Sequence, residues 1–136
     1  MIKKGIILAG GSGSRLSPLT KATNKQLLPI YDKPLIFYPL SILMLANIKN
    51  ILMIVNPGQI KNFQGILGDG KRYGIKIQYK IQNKPRGLAD AFILGKNFIK
   101  NDNVAMILGD NFFYGQSLTG TLEKSLIHNN GARIFL

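Results

Sequence analysis

The feature that most constrains the fold is a short apolar run, residues 6–9, that turns abruptly into a loop rich in glycine and serine. The run is short and partly β-branched, which is typical of a buried strand. The next glycines, Gly10, Gly11 and Gly13, permit unusual backbone angles and let main-chain N–H groups approach an anion closely. Arg15 then adds a permanent cation with a planar set of donors. A strand, a glycine-rich loop and an arginine in this order indicate a site for phosphate groups.

The loop does not match either of two common phosphate-binding motifs. Gly11-Ser12-Gly13 satisfies only part of G-x-G-x-x-G, because Leu16 occupies the position of the third glycine. The sequence also lacks the P-loop pattern G-x-x-x-x-G-K-[ST]. Taken alone, the loop is therefore also compatible with a tight turn that carries a surface arginine.

The composition favours a single folded domain in a reducing compartment. The 136 residues are 46% hydrophobic, enough for one sizeable core, and they include no cysteine, which excludes disulfides, thiolate metal sites and cysteine nucleophiles. The first apolar run is shorter than the ~7–15 residues of a signal-peptide core. Residues 34–48 are very apolar but fall short of the ~20 residues that a membrane span needs. We therefore expect a cytoplasmic protein that does not associate with a membrane.

The strong positive charge raises the alternative of a nucleic-acid binder. The chain has 18 basic and 6 acidic residues, a formal net charge of +12. The basic residues are scattered singly or in pairs, however, without the interleaved aromatic side chains that stack on bases. Attraction for small phosphorylated ligands explains the charge at least as well. We expect no specific nucleic-acid partner, and a salt-dependent gel shift would test the alternative.

Strand patterns alternate with helical patterns along the chain. Further strands are predicted over residues 50–55, 75–79, 104–108 and 132–136, and helices over 37–46, 59–67, 88–99 and 117–129. This alternation predicts an α/β, Rossmann-like fold with a mostly parallel sheet and helices on both faces. Ligands of such sheets bind beyond the carboxyl ends of the strands. The segments predicted to lie there are 10–15, 56–58, 82–87 and 109–111.

A few polar side chains in or near these segments could take part in chemistry. Asp110 follows a buried strand and could bind Mg²⁺, which needs only one or two carboxylates when phosphates supply other ligands, although it could equally cap a turn. Lys25 could neutralise a phosphate or simply lie on the surface. The Gln82 amide could pair with a base edge, which Gly87 could let the backbone approach. His128 is interpreted as solvated or structural, and the sequence offers no zinc cluster or Ser-His-Asp arrangement.

Five segments together resemble a known family. They are GIILAGGSGSRL at 5–16, KQLLPIYDKP at 25–34, LGDG at 67–70, GLADAF at 87–92 and LGDNFFYG at 108–115. In this order they resemble the sugar nucleotidyltransferases, in particular the bacterial glucose-1-phosphate thymidylyltransferases. The resemblance implies Mg²⁺-dependent transfer of dTMP from dTTP to glucose 1-phosphate, giving dTDP-glucose and pyrophosphate for deoxysugar synthesis. Another nucleotide such as UTP, another sugar phosphate, or a nucleotide-binding fragment without catalysis remain alternatives.

The resemblance also implies roles for individual residues. Arg15 and Lys25 are expected to be catalytic, because in-line transfer at phosphorus depends on positioning and charge neutralisation. Asp110 is expected to bind Mg²⁺, and Asn111 to lie on the sugar side. The nucleotide is expected to contact Leu8, Gly10, Gly11, Gly13, Ser14, Arg15, Lys25, Gln26, Gln82 and Gly87.

The sequence departs from the family pattern in several places. Ser14 replaces a frequent threonine but keeps the hydroxyl, Asn24 replaces a common serine, and Lys84 and Arg86 make the loop before Gly87 unusually basic. The family chain is roughly twice as long, so residues 1–136 are expected to form one nucleotide-binding domain, the N-terminal portion of a longer protein. That portion should be poorly active alone, since the resemblance places most sugar contacts and a second acidic metal ligand in the other half. The full-length parent is expected to be a homo-oligomer, a tetramer by resemblance.

Overall fold

The computed structural model describes residues 1–127 and 131–135. Its main sheet contains four parallel strands: β1 (Lys4–Ala9), β4 (Asn50–Val55), β5 (Lys76–Ile81) and β6 (Val104–Leu108). Their order across the sheet is β5-β4-β1-β6. A separate antiparallel hairpin pairs β2 (Pro29–Ile30) with β3 (Lys33–Pro34). In the register of the main sheet, Ala9 pairs with Val55 and Leu8 with Leu108, so the loops after β1, β4 and β6 leave the same edge together.

Within the described residues, six α-helices lie between or after the strands. They are α1 (Leu19–Ala22), α2 (Phe37–Leu45), α3 (Ile60–Leu67), α4 (Ala89–Leu94), α5 (Lys96–Ile99) and α6 (Leu118–Ile127). Single turns of 3-10 helix form at Ser14–Leu16, Lys25–Leu27 and Lys71–Tyr73. In the described part of the chain, no helix has both the length and the apolar character needed to cross a bilayer.

The helices cover both faces of the main sheet, as the sequence predicts. Successive side chains of a strand point to opposite faces. Accordingly Ile7 belongs to the larger core with residues of α2, α3 and α6, whereas Ile6 packs with α4 and α5 on the other face. Both isoleucines are fully buried, as are most residues of the central strand β4. The α/β fold with a parallel sheet is therefore confirmed, and its two central strands, β4 and β1, run through the middle of the core.

Some predicted elements differ from the structure. The helix predicted over 88–99 is two helices that meet at Gly95, a residue type that is unfavourable inside a helix. Gly95 also packs closely on the sheet, since an added Cβ would lie 3.1 Å from Ile6 Cδ1. The strand predicted over 132–136 is wrong for residues 132–135, which are exposed and pair with no strand among the described residues. A strand needs such a neighbour to satisfy its backbone groups. The end of the helix predicted over 117–129, with His128, and Leu136 lie outside the described residues.

Candidate active site

A cavity lies at the carboxyl edge of the sheet, where the predicted phosphate-binding loop leaves β1. Its volume is about 280 Å³, and it is lined by the loop residues 10–16 together with Lys25, Gln26 and Asp110. Three separate segments of the sequence therefore meet at one place. A larger cavity of about 400 Å³ lies elsewhere, between β4, β5 and α5, and includes Lys4 and Phe98. The smaller cavity is the candidate site, because it alone joins the glycine-rich loop to charged residues predicted to bind phosphate and metal.

The glycine-rich loop has a conformation that requires glycine at position 13. Gly13 adopts a φ of 61°, in the left-handed region, and begins the helical turn Ser14–Leu16. A Cβ at this position would lie 2.8 Å from Thr20 Cγ2 and 3.3 Å from Lys25 Cβ. The Thr20 hydroxyl donates to the Gly13 carbonyl at 2.8 Å. This bond and the tight packing fix the point at which the loop turns towards Arg15.

Asn56 holds the first part of the same loop. The Gly11 N–H donates to Asn56 Oδ1 at 3.2 Å, and Asn56 Nδ2 donates to the Gly11 carbonyl at 2.8 Å. Asn56 directly follows β4, and Gly11 lies two residues beyond the end of β1, the neighbouring strand. From the sequence alone, Asn56 was notable only as part of a segment that ends a strand. Its contact with Gly11 depends on β1 and β4 being neighbours, which is known only from the order of the strands in the sheet.

Lys25 and Asp110 form an ion pair inside the cavity. Lys25 Nζ lies 2.6 Å from Asp110 Oδ2, and the two side chains keep 33% and 31% of their surface exposed. The pair links the turn Lys25–Leu27 to the residue that follows Gly109 at the end of β6. Each group is therefore partly open to the cavity and already held beside a charge of opposite sign. Arg15 also lines the cavity, and among residues 1–127 and 131–135 no carboxylate pairs with it.

The segment before Lys25 is fixed by a buried asparagine. Asn24 is 8% exposed, and its side-chain oxygen accepts from the Gln26 N–H at 2.9 Å. Capping of this kind satisfies a backbone donor at the start of a helical turn. Gln26, which is 3% exposed, in turn donates from Nε2 to the Gly10 carbonyl at 3.2 Å. Asn24, at the position where the resemblance implies serine, therefore acts as a cap. Gln26 joins the lysine segment to the glycine-rich loop.

Four predicted residues lie outside the cavity lining. Gln82 is 5% exposed and sits beside the loop, since a Cβ on Gly10 would lie 3.1 Å from its Oε1. Leu8 packs in the core beneath the loop, and the Asn111 N–H donates to the Leu108 carbonyl at 3.1 Å. Gly87 lies on an exposed loop with a φ of 88°. The structure thus gathers the predicted phosphate and metal residues into one cavity and leaves the predicted base and sugar residues outside its lining.

Among the described residues, Asp110 is the one carboxylate that lines the cavity. No group of three or more histidine or acidic side chains is assembled in the described part of the chain. Mg²⁺ nevertheless binds through one or two carboxylates when phosphate oxygens and waters complete its shell. Asp110 faces the cavity, and its Oδ1 is not used in the ion pair with Lys25. The site therefore fits a Mg²⁺ ion that arrives with phosphates, and it does not resemble a metal site built from protein ligands alone.

Comparison with known proteins places the chain in a family. Residues 4–135 match the family "Nucleotidyl transferase". A glucose-1-phosphate thymidylyltransferase of Neisseria meningitidis is 58% identical over 97% of this chain, and the chain spans only 46% of that relative. Among solved structures, the chain is similar to a crystal structure described as a glucose-1-phosphate thymidylyltransferase from Bacillus anthracis in complex with sucrose. The TM-score is 0.82 and the sequence identity 39%, and the match covers 90% of this chain and 50% of the Bacillus anthracis chain.

A second solved structure extends the likeness to a related enzyme. A UDP-glucose pyrophosphorylase complexed with UDP-glucose has a TM-score of 0.74 at 28% identity, over 92% of this chain and 52% of its own. Each of these proteins is thus matched over about half its length. The family match covers nearly every residue of the chain. The parallel sheet and the glycine-rich loop at its carboxyl edge are consistent with this match. The chain belongs to the nucleotidyl transferase family.

Proposed function

We propose that the full-length protein is a Mg²⁺-dependent glucose-1-phosphate thymidylyltransferase. It would transfer dTMP from dTTP to glucose 1-phosphate and release pyrophosphate. The observation that carries this proposal is the convergence of the loop 10–16, Lys25 and Asp110 on one cavity. The 58% identity to a glucose-1-phosphate thymidylyltransferase supports the choice of nucleotide and sugar.

The chemistry follows from the charges around the cavity. A phosphate oxygen of the sugar phosphate attacks the α-phosphorus, and the bond from that phosphorus to the leaving pyrophosphate breaks. This reaction needs alignment and neutralisation of negative charge more than a protein nucleophile. The main-chain N–H groups of the loop and the Arg15 guanidinium would hold the triphosphate, and Lys25 would neutralise charge near the reacting phosphorus. Arg15 would contribute most as negative charge builds on the leaving group.

Lys25 and Asp110 would have to exchange partners when substrates bind. In the structure each neutralises the other across 2.6 Å. A phosphate oxygen would take the place of Asp110 beside Lys25, and the carboxylate would become available to a cation. Mg²⁺ bound there would neutralise phosphate oxygens and help to orient them. The residues that would hold the ion in this chain are Asp110 and, through water, its neighbours in the cavity.

The proposal is tested with the full-length protein, dTTP, glucose 1-phosphate and MgCl₂. We expect equal amounts of dTDP-glucose and pyrophosphate, measured by chromatography and a coupled pyrophosphate assay. Competition between dTTP and UTP decides the nucleotide, because the related UDP-glucose pyrophosphorylase structure carries UDP-glucose. A protein that releases no pyrophosphate with either nucleotide would contradict the enzymatic proposal and leave a binding module. A preference for UTP would contradict the assignment of dTTP.

The metal site has its own test. Asp110→Asn removes the charge that faces the cavity, so we expect the Mg²⁺ concentration for half-maximal rate to rise about tenfold or more. Asp69→Asn is the matched control, because Asp69 is an exposed turn residue paired with Lys71 outside the cavity. An Asp110→Asn enzyme with an unchanged Mg²⁺ requirement would remove this residue from the metal site.

We propose a cytoplasmic location, because both substrates are phosphorylated metabolites that do not cross membranes unaided. The full-length protein would be a homo-oligomer, a tetramer by its resemblance to the family. Light scattering on the purified protein measures the oligomeric state, and a monomer at micromolar concentration would contradict it.

A further inference from the structure

Gln82 is held in one orientation by a neighbouring carboxylate. Its Nε2 donates to Asp90 Oδ2 at 2.8 Å, and its main-chain N–H donates to the Val55 carbonyl at 2.9 Å. The side chain is 5% exposed, so little space remains for another rotamer. Asp90 lies in the first turn of α4, where a negative charge is favoured by the helix dipole. Both ends of the glutamine are therefore fixed by the fold.

The identity of the partner decides which end of the amide faces the glycine-rich loop. An ionised carboxylate only accepts hydrogen bonds, so the NH₂ group of Gln82 must face Asp90. The carbonyl oxygen, Oε1, then points the other way, towards the glycine-rich loop. A Cβ on Gly10 would lie 3.1 Å from this oxygen, and Gly10 lines the cavity. With an asparagine or glutamine at position 90, the amide of Gln82 could turn over and still be satisfied.

We propose that Asp90 is a positioning residue that makes Gln82 present a hydrogen-bond acceptor to the nucleotide base. This rests on the proposed function, because it requires a nucleotide whose triphosphate occupies the loop and whose base lies near Gly10. An acceptor at that point pairs with the N3–H of thymine or uracil. Cytosine has a lone pair at N3, so two acceptors would face each other and neither would be satisfied. Asp90 thereby selects the class of pyrimidine that carries an imide N–H.

The expected size of the selection follows from the cost of an unmade hydrogen bond. A buried acceptor left without a donor costs about 1–3 kcal/mol, which is about 5- to 150-fold in affinity. We therefore expect the wild-type protein to prefer dTTP over dCTP by at least about fivefold in kcat/KM. Thymine and uracil present the same edge to Gln82, so the ratio of dTTP to dUTP should not depend on Asp90.

The experiment measures kcat/KM for dTTP, dUTP and dCTP with the full-length protein and its variants. Asp90→Asn frees the Gln82 amide to turn over, so the preference for dTTP over dCTP should fall about fivefold or more. Asp90→Glu keeps a group that only accepts and should retain the preference. Asp102→Asn is the matched control, because it removes one carboxylate that pairs with Lys4, away from the cavity. The ratio of dTTP to dUTP should stay the same in all three variants.

Several results would overturn the inference. An unchanged ratio of dTTP to dCTP in Asp90→Asn would do so, as would an equal loss with all three nucleotides, which is the result of general structural damage. If Asp90→Asn does not fold, Gln82→Met removes both polar ends of the side chain and must abolish the preference. Failure of the proposed function looks different, because the wild-type protein would then turn over none of the nucleotides. Calorimetric binding of dTTP, dUTP and dCTP would then decide the base selection without catalysis.

Discussion

Replacement of Asn56 by alanine should weaken nucleotide binding, although Asn56 itself does not line the cavity. The substitution removes two hydrogen bonds to the main chain of Gly11, at 3.2 and 2.8 Å. Each such bond has a net worth of about 0.5–1.5 kcal/mol. Because Asn56 is partly exposed, we take the lower part of the sum, about 1–2 kcal/mol. The loop would then have to be ordered at the moment of binding, which raises the Kd for dTTP about 5- to 30-fold.

The assay is calorimetric titration of the full-length protein with dTTP and Mg²⁺ in the absence of sugar phosphate. Asn101→Ala is the matched control, since Asn101 is an exposed residue of the turn after α5. Asn56→Asp should bind dTTP more weakly than Asn56→Ala does. The carboxylate can still accept from the Gly11 N–H, but its second oxygen would lie against the Gly11 carbonyl oxygen and repel it. Binding by Asn56→Ala within twofold of the wild type, at unchanged thermal stability, would refute the idea that Asn56 orders the loop.

Three further predictions test the loop, the chemistry and the pH dependence. Gly13→Ala should lower the free energy of unfolding by about 1–3 kcal/mol, because Gly13 has a φ of 61° and the new Cβ would lie 2.8 Å from Thr20 Cγ2. Gly65→Ala should raise the free energy of unfolding slightly, because Gly65 lies in a helix with open space around it. Equal effects of the two substitutions in chemical denaturation would contradict backbone strain at position 13. Arg15→Ala should reduce kcat more than it raises the Kd for dTTP, measured by steady-state kinetics and calorimetry; an unchanged kcat would exclude Arg15 from the mechanism. The hydrogen bond from Lys4 holds the pKa of Asp102 in the folded protein below its usual range. The ionised Asp102 therefore stabilises the fold at pH values above its pKa in the unfolded chain, and this stabilisation is lost as the pH falls through the lower pKa of the folded protein. Asp102→Asn should therefore be less stable than the wild type at pH 7, and the difference should vanish at strongly acidic pH in thermal melts; a difference that persists there would contradict this origin.

Much of the fold was predictable because the strands are short apolar runs separated by strong turn signals. Residues 50–55 and 104–108 are strands with the predicted bounds, and the parallel sheet follows from the alternation of strands and helices. The break at Gly95 was not predicted, although glycine is unfavourable inside a helix. Its close contact with Ile6, on a distant strand, is visible only in the fold. The hairpin of β2 and β3 was also missed, since two-residue strands leave no periodic pattern.

The candidate site was predictable to a different extent. Arg15, Lys25 and Asp110 were named from the order of the motifs, and the structure brings them to one cavity. The contacts that support them were not named, because they depend on which strands are neighbours. Asn56 holds Gly11 across 45 positions of sequence, and Asp90 fixes Gln82 from the next helix. Neither residue type is unusual at a strand end or in a first helical turn, so only the three-dimensional contacts distinguish them.

The contact between Lys25 and Asp110 has a consequence for how ligands enter. Before any ligand arrives, each of these groups is occupied by the other, so a phosphate must compete with a carboxylate and a cation must compete with an ammonium group. Whichever ligand binds first removes the competitor of the second, and the two should bind with positive cooperativity. Thermodynamic linkage makes this reciprocal: the factor by which the cation tightens the nucleotide is the factor by which the nucleotide tightens the cation.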